Sequence, residues 1–592
     1  MLRGIFRTKS LNAILASAEA PESQLRRSLG AVQLTLLGIG AIIGAGIFST
    51  VGTAAAGGAD HLGAGPALVV SFLLTAVTCG FAALCYAEFA SMVPVSGSAY
   101  TYSYATLGEL IGWIIGWDLI IEYAVGNVAV AISWSGYFQE LLRGMGLSLP
   151  GWLGTDYRTA AQAARQVAEA SAAGTDLTTL GVAVQRAAQA MADAPAPFGF
   201  PIVFNLPAFA IVMLITVVLV VGIRESAWFN SAMVVLKLAI IAFFAILGFF
   251  YIDPSNWHPF APNGFEGIAS AAAILFFAYI GFDAVSTAAE ETKNPKRDMP
   301  IAIISSLIIC TIIYVVVAVV LTGMLPWRQL GTAEPLATAF SALGMGWPAL
   351  IISVGAVFAT TSVLLVFQYG QPRIFFSMAR DGLLPPFAAK VHPRFRTPHI
   401  TTWITGIVVA VFSGFANINE VVELTNIGTL FAFLLVCVGI TVLRYKDPGR
   451  PRGFRVPFGA WLIPMLGAGS CIFLMVYLPP SSWWRFIGWL VLGMAVYFAY
   501  GYNHSLVGRE AGRSPRADSS QKLAAIGYLA AAVGLFVIPH DAGLGRLIQE
   551  ASAAGDPDHV RALAGLILIV AGGLLAAFGT FGGGRQAGSG AR

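Results

Sequence analysis

The sequence predicts an all-α integral membrane protein of about fourteen transmembrane helices, each near the ~20 residues a bilayer requires. Three observations predict it. The first is composition: of 592 residues, 57% are hydrophobic and 11% charged, against roughly 45–50% and about 25% in an ordinary soluble domain. A soluble chain this apolar would have too little polar surface to cover its core. The second is the recurrence of long apolar runs along the chain. The third is the placing of Lys and Arg almost wholly in the loops between those runs, with a strong bias to alternate loops.

The apolar runs fall near residues 33–57, 66–92, 101–140, 202–222, 227–251, 266–290 and 300–325, then 340–370, 400–416, 421–444, 457–478, 484–502, 522–539 and 562–581. The third exceeds the thickness of a bilayer and must tilt or project. With the N-terminus in the cytoplasm, 25 of the 34 Lys and Arg face inward, 8 face outward and Lys237 is left within the membrane. That asymmetry supports an even helix count with both termini cytoplasmic. No secretory signal is expected, since the residues before Ala16-Ser17-Ala18 form only a weak apolar patch. The outer loop 143–200 is long. Its stretches Thr159–Ala173 and Leu177–Ala192 read as short amphipathic helices ended by Pro195 and Pro197. The six residues from Glu169 recur from Glu550, a chance echo in Ala-rich sequence, and the loop reads as a passive insertion.

The net charge of +4 carries no nucleic-acid signature, because the basic residues lie in loops between apolar runs. Cys79, Cys85, Cys310, Cys437 and Cys471 all lie within apolar segments without metal-ligand spacing, and read as packing residues. No cofactor or metal is expected.

The first segment carries Gly38-Ile-Gly-Ala-Ile-Ile-Gly-Ala-Gly-Ile-Phe48. Glycines 38, 40, 44 and 46 each weaken a helix by about 1 kcal/mol relative to Ala. Close helix packing explains Gly40-x-x-x-Gly44 equally well. The sixth segment tips the balance, with Phe276-Phe-Ala-Tyr-Ile-Gly-Phe-Asp-Ala-Val285 placing a glycine and an acid in mid-helix. Non-helical backbone at membrane depth is tolerated only against protein or a wet cavity. Two interrupted helices in corresponding positions of two five-helix halves point to a transporter with inverted repeats. Their half-helix N-termini offer N–H groups to an anion and their freed carbonyls face a cation, which suits an α-amino acid. A dinucleotide loop is rejected, because the glycines follow no strand. No phosphate-binding P-loop and no HExxH is present.

Ionisable residues at membrane depth are functional by default. Asp118 and Glu122 share one face of the third segment, Lys237 lies midway along the fifth, and Asp283 adjoins the second break. The natural expectation pairs Lys237 with Glu122. Glu88, Glu290 and Glu291 at helix ends are expected to be hydrated and Glu109 to lie at an interface, all four in structural roles.

These residues resemble the amino acid–polyamine–organocation (APC) superfamily, and most of all its cationic amino acid transporter branch. Gly38–Phe48, Gly112–Gly126, Phe276–Pro295 and Tyr369–Pro385 carry the resemblance, which spans about residues 28–500. It implies a LeuT-type 5+5 inverted-repeat core plus four C-terminal helices. The division is a tail 1–32, a core 33–444 with the 143–200 insertion, helices 11–12 over 445–502 and helices 13–14 over 503–592. It further implies that amides around Ala45 and Gly46 hold the substrate carboxylate. Carbonyls of Ile42, Phe277, Ala278 and Ile280 would hold its ammonium, and Glu122 would lie near its side chain. By the same resemblance Lys237 would take the place of a coupling sodium ion, its protonation locking the first, fifth and eighth helices near Thr360–Ser362. Glu122 shares in proton coupling. Gly44, Gly281 and Asp283 support the breaks.

The expected function is secondary active amino acid transport, coupled to protons as symport by alternating access, for cationic or small neutral L-amino acids in a bacterial inner membrane. The alternatives are an exchanger without ion coupling and a membrane sensor that binds without transport. Short tails argue against the sensor. No catalytic constellation suggests an enzyme.

Overall fold

In a computed structural model, the fold is described for residues 5–9, 29–58, 61–93, 98–174, 180, 182–221, 227–395, 397–510, 519–537 and 557–582. Most of the 1–32 tail, the Ala16-Ser17-Ala18 patch, the start of the second insertion helix and the 550–555 echo lie outside the described residues. Among the described residues there are helices and two isolated bridges, and no β-strand.

Eight helices are long and apolar enough to span a membrane, and the bent pair Ala31–Ile42 and Gly46–Ala56 makes a ninth. We number the spans and the other apolar helices together in chain order: α1, that bent pair; α2, Gly65–Met92; α3, Glu109–Gly144; α4, Leu206–Val221; α5, Ala227–Phe249; α6, from Gly264; α7, Pro295–Met324. Then come α8, Gly346–Arg380; α9, His399–Phe415; α10, Ile418–Lys446; α11, Leu462–Val476; α12, Pro480–His504; α13, Ser519–Val537; and α14, Pro557–Gly582. Each expected apolar run has its helix.

Two expected boundaries are corrected. The third segment does not begin at 101, because the chain turns at Gly108, whose φ is +107°. Residues Ser98–Thr106 form a separate short helix packed against α3. The eighth segment likewise begins at Gly346, after a separate short helix Pro335–Ala342. Positive φ is the cause at Gly108 and again at Gly344 (+74°), since continuing helix cannot adopt it.

The insertion folds as two packed helices, Tyr157–Ala172 and Val182–Ala192. Asp156 caps the first, its Oδ1 accepting from the Thr159 N–H at 2.9 Å. Burial pushes the Asp156 carboxyl up, and the bonds from Thr159 oppose that. Arg158 pairs with Glu420, and Asn417 Nδ2 donates to Thr159 Oγ1 at 2.8 Å. Gln139 Nε2 donates to the Gly154 carbonyl at 2.8 Å. The insertion is therefore clipped to the ends of α3 and α10. At the far end of the chain, α13 and α14 pack on each other, backbone to backbone at Gly527, Gly534 and Gly572, and α13 lies on α12.

Glu88, expected to be hydrated, and Glu109, expected at an interface, are both buried instead. Glu88 is 0% exposed and accepts from Arg444 Nε at 2.9 Å, Arg452 Nε at 3.1 Å and the Val456 N–H at 2.7 Å. Glu109, also 0% exposed, accepts from Tyr497 Oη and Ser505 Oγ, each at 2.7 Å. Both partner sets lie more than 350 positions away in sequence, so helix-end position alone gave no sign of them. Glu291 is exposed as expected, while the Glu290 side chain lies outside the described residues.

Candidate substrate and coupling site

Both expected breaks are present. In α1 the regular helix stops at Ile42, Ile43 turns to φ −76°, ψ 97°, and the axis resumes from Gly46 bent by 41°. In α6 the helix Gly264–Leu275 tightens into a 3₁₀ turn over Phe276–Tyr279. Ile280 is then extended and Gly281 takes φ +121° before a second 3₁₀ stretch, Asp283–Glu291. Gly281 is fixed twice over: by its φ, and because a Cβ there would lie 2.7 Å from the carbonyl carbon of Ala41.

The breaks touch. A Cβ on Gly46 would stand 2.2 Å from the Cα of Ala278, so only glycine permits this crossing. Gly44 faces Val363 of α8, where a Cβ would sit 3.1 Å from that side chain. The restarted half of α1 presents helix-start N–H groups around Ala45 and Gly46, which lack intrahelical acceptors. Phe277, Ala278 and Ile280 bring the α6 carbonyls to the same place, and Ile42, Ala45 and these three residues are all at most 6% exposed. Asp283 Oδ1 accepts from the Gly281 N–H at 3.3 Å, a contact that holds the second break.

The Ile42 and Ala278 carbonyls have a partner the sequence reading missed. Tyr314 of α7 places its hydroxyl 3.0 Å from Ile42 O and 2.8 Å from Ala278 O. One hydroxyl has a single hydrogen to donate, so it bridges the two breaks by donating to one carbonyl at a time. Its only sequence signal is a lone phenol in an aliphatic run, which is commonly core. Asn426 of α10 is a second such residue: its Nδ2 donates to Ala273 O at 2.8 Å and Ile274 O at 2.9 Å, supporting the end of the first α6 half.

Lys237 is 1% exposed. Its Nζ donates to Gly40 O at 2.8 Å and Ile43 O at 3.2 Å, the one just before the α1 break and the other in it. The expected Lys237–Glu122 pair does not form. The physical reason is position: the breaking of α1 frees carbonyls beside α5, and the Lys237 Nζ donates to those, while Glu122 lies on α3. Thr360 bonds within its own helix, its Oγ1 donating to Ala356 O at 2.6 Å. Val363 of α8 lies against Gly44, and Gly355 lies against Ile240 of α5. Glu122, 4% exposed, sits in a π-bulge over Ile121–Val125, with the Asp283 carboxyl and Thr429 beside it. Asp118, one turn earlier and 2% exposed, has no hydrogen-bond partner for either oxygen among the described residues.

The far half of α1 is tied down in its first turn. Tyr137 donates to Phe48 O, and Ser49 Oγ donates to Ala333 O at 2.6 Å. The start of α1 is tied to the end of α6, with the Leu29 N–H donating to Glu291 O at 3.0 Å and the Lys293 N–H to Leu29 O at 2.9 Å.

Two helices broken side by side in mid-span, with the Lys237 Nζ donating to carbonyls at the first break, define a polytopic α-helical transporter fold. A sequence-family profile described as amino acid permease matches residues 29–497, and the chain belongs to that family, within the APC superfamily. The chain is 45% identical to a methylthioribose transporter of Bacillus subtilis (strain 168) over 508 residues, 86% of this chain and all of the relative. It is 46% identical to a branched-chain amino acid permease of the same organism over 506 residues, 85% of this chain and 99% of the relative. It is 35% identical to a vacuolar cationic amino acid transporter 4 of Arabidopsis thaliana over 453 residues, 76% of this chain and 68% of the relative.

Proposed function

We propose that this permease is a proton-coupled symporter of a zwitterionic L-amino acid, working by alternating access. The observation that carries the reading is Lys237 Nζ on Gly40 O and Ile43 O at the α1 break. An ammonium there can replace a monovalent cation as the group that satisfies unwound carbonyls. Proton loss and gain at Nζ would then release and re-lock α1 against α5. The helix-start amides at Ala45 and Gly46 take the substrate carboxylate. The carbonyls of Ile42, Phe277, Ala278 and Ile280 take its ammonium, with Tyr314 giving way at two of them. Glu122 borders the side-chain end of the site and shares in proton coupling. The Lys and Arg asymmetry and the Bacillus relatives support placement in a bacterial inner membrane with both termini cytoplasmic.

The relatives differ in their named substrates, so side-chain selectivity is tested directly. Purified protein is screened by thermal stabilisation against cationic, branched-chain and small neutral amino acids and methylthioribose; ligands of the folded state raise the melting temperature. The best ligand is then tracked into proteoliposomes with and without an inward proton gradient. Symport predicts uptake driven by the gradient in the native protein and no gradient response in Lys237→Met. Equal uptake in both conditions by the native protein, requiring amino acid on the far side, would establish exchange instead.

A further inference from the structure

We infer that the start of α7 and the loop after α10 form a binding site for the headgroup of an anionic phospholipid. A groove of about 600 Å³ opens there, lined by Asn294, Lys296 and Arg297 at the start of α7 and by Gly453 and Phe454 of the loop after α10. Lys296 and Arg297 are exposed, and their side chains make no ion pair or hydrogen bond among the described residues. Of the neighbouring acids, Asp298 is buried, and Glu291 lies before the bend at Asn294. The groove thus carries two uncompensated positive charges where a spanning helix leaves the membrane.

The next turns of α7 suit the rest of a lipid. Ile301 and Ile304 line the groove. Ile301, Ile308, Ile312 and Val316 then continue on one stripe of the helix, 41%, 54%, 60% and 44% exposed. The fifteen-residue rise from Ile301 to Val316 is about 22 Å, the reach of an extended acyl chain. Charge at one end and an apolar track leading from it is the order of groups in a phospholipid, and basic pockets at the ends of spanning helices bind such headgroups. A soluble anion would have no use for the isoleucine track.

The groove is also mechanically placed. Gly453 lies against Lys296, where a Cβ would come within 2.7 Å of the lysine Cβ. The adjacent Arg452 is held on the buried Glu88 of α2. A headgroup bound between Lys296 and Phe454 therefore joins α7 to the loop that is clamped to α2.

The test uses the full chain, purified in detergent and titrated with phosphatidylglycerol, phosphatidylcholine and glycerol 3-phosphate, with bound lipid read by native mass spectrometry. Phosphatidylglycerol should bind saturably and the other two should neither bind comparably nor displace it. Lys296→Ala with Arg297→Ala should weaken binding roughly thirtyfold, from two basic groups of ordinary interfacial strength. The control pair Lys390→Ala with Arg394→Ala, both exposed, should leave it within about twofold. If the double variant melts early, Lys296→Gln and Arg297→Gln singly should each cost about fivefold. Equal binding of phosphatidylcholine, displacement by glycerol 3-phosphate, or equal losses in both pairs would overturn the proposal. The readout is lipid, not uptake, so its failure is distinct from failure of the symport reading.

Discussion

Removing the Tyr314 hydroxyl probes both breaks at once. Tyr314→Phe keeps the ring, which packs against Phe72 and Tyr279 at centroid distances of 5.4 and 5.3 Å, and removes only the donor shared by Ile42 O and Ala278 O. A buried hydrogen bond is worth about 1 kcal/mol net, and a carbonyl left without a donor costs a further amount of the same order. Interhelical bonds in membranes fall at the lower end of such ranges. The expected destabilisation of the ligand-free protein is thus about 1–2 kcal/mol. The substrate ammonium is expected to supply the donors that Tyr314 gave, so it should restore more stability to the variant than to the native protein. At a ligand concentration of about 100 Kd, binding stabilises by about 2.7 kcal/mol. If freeing the carbonyls tightens binding about tenfold, the same concentration yields about 4.1 kcal/mol in the variant. The assay is thermal melting in detergent with and without the best amino acid ligand. A lower melting temperature without ligand and a larger ligand-induced rise are expected. An unchanged melting temperature together with an unchanged rise would show that the hydroxyl does not bridge the breaks.

Packing gives three more expected outcomes. Gly46→Ala forces a methyl to within 2.2 Å of the Ala278 Cα; since overpacking costs about 1–3 kcal/mol even where side chains can yield, proteoliposome uptake should be abolished, whereas Gly469→Ala, which meets nothing within 4 Å, should transport normally. Glu88→Ala leaves Arg444 and Arg452 without their buried acceptor and should cost about 3–5 kcal/mol, seen as a large fall in melting temperature. Asp156→Ala removes the cap of the first insertion helix and should cost about 1 kcal/mol locally, read as faster hydrogen exchange over residues 157–172 with uptake unchanged.

Much of the fold was legible because the membrane imposes few solutions. A spanning helix needs about 20 apolar residues, and the glycines at 38–46 and the Gly281–Asp283 pair betray where main chain leaves the helix. What the sequence hid were partners across the fold. Lys237 was visible as a charge in an aliphatic run, but its acceptors are carbonyls of Gly40 and Ile43, which every residue possesses and no side-chain pattern reveals. Pairing it with Glu122 rested on charge alone and ignored the main chain. Glu88 and Glu109 were misread for the same reason, since Arg444, Arg452, Tyr497 and Ser505 reach them only in three dimensions. Tyr314 looked like any core phenol, because what distinguishes it is the meeting of two breaks at its hydroxyl.

In the proposed site, main-chain groups of α1 and α6 recognise both charged ends of the substrate. Affinity decides this: the purified protein is titrated with the best amino acid beside its methyl ester, its decarboxylated amine and its deaminated acid. Each charged hydrogen-bonded end is worth roughly 1.5–3 kcal/mol, so each analogue should bind at least about tenfold more weakly than the parent. Main-chain recognition of a zwitterion fails if analogues lacking either end bind as tightly as the amino acid, or if methylthioribose binds more tightly still.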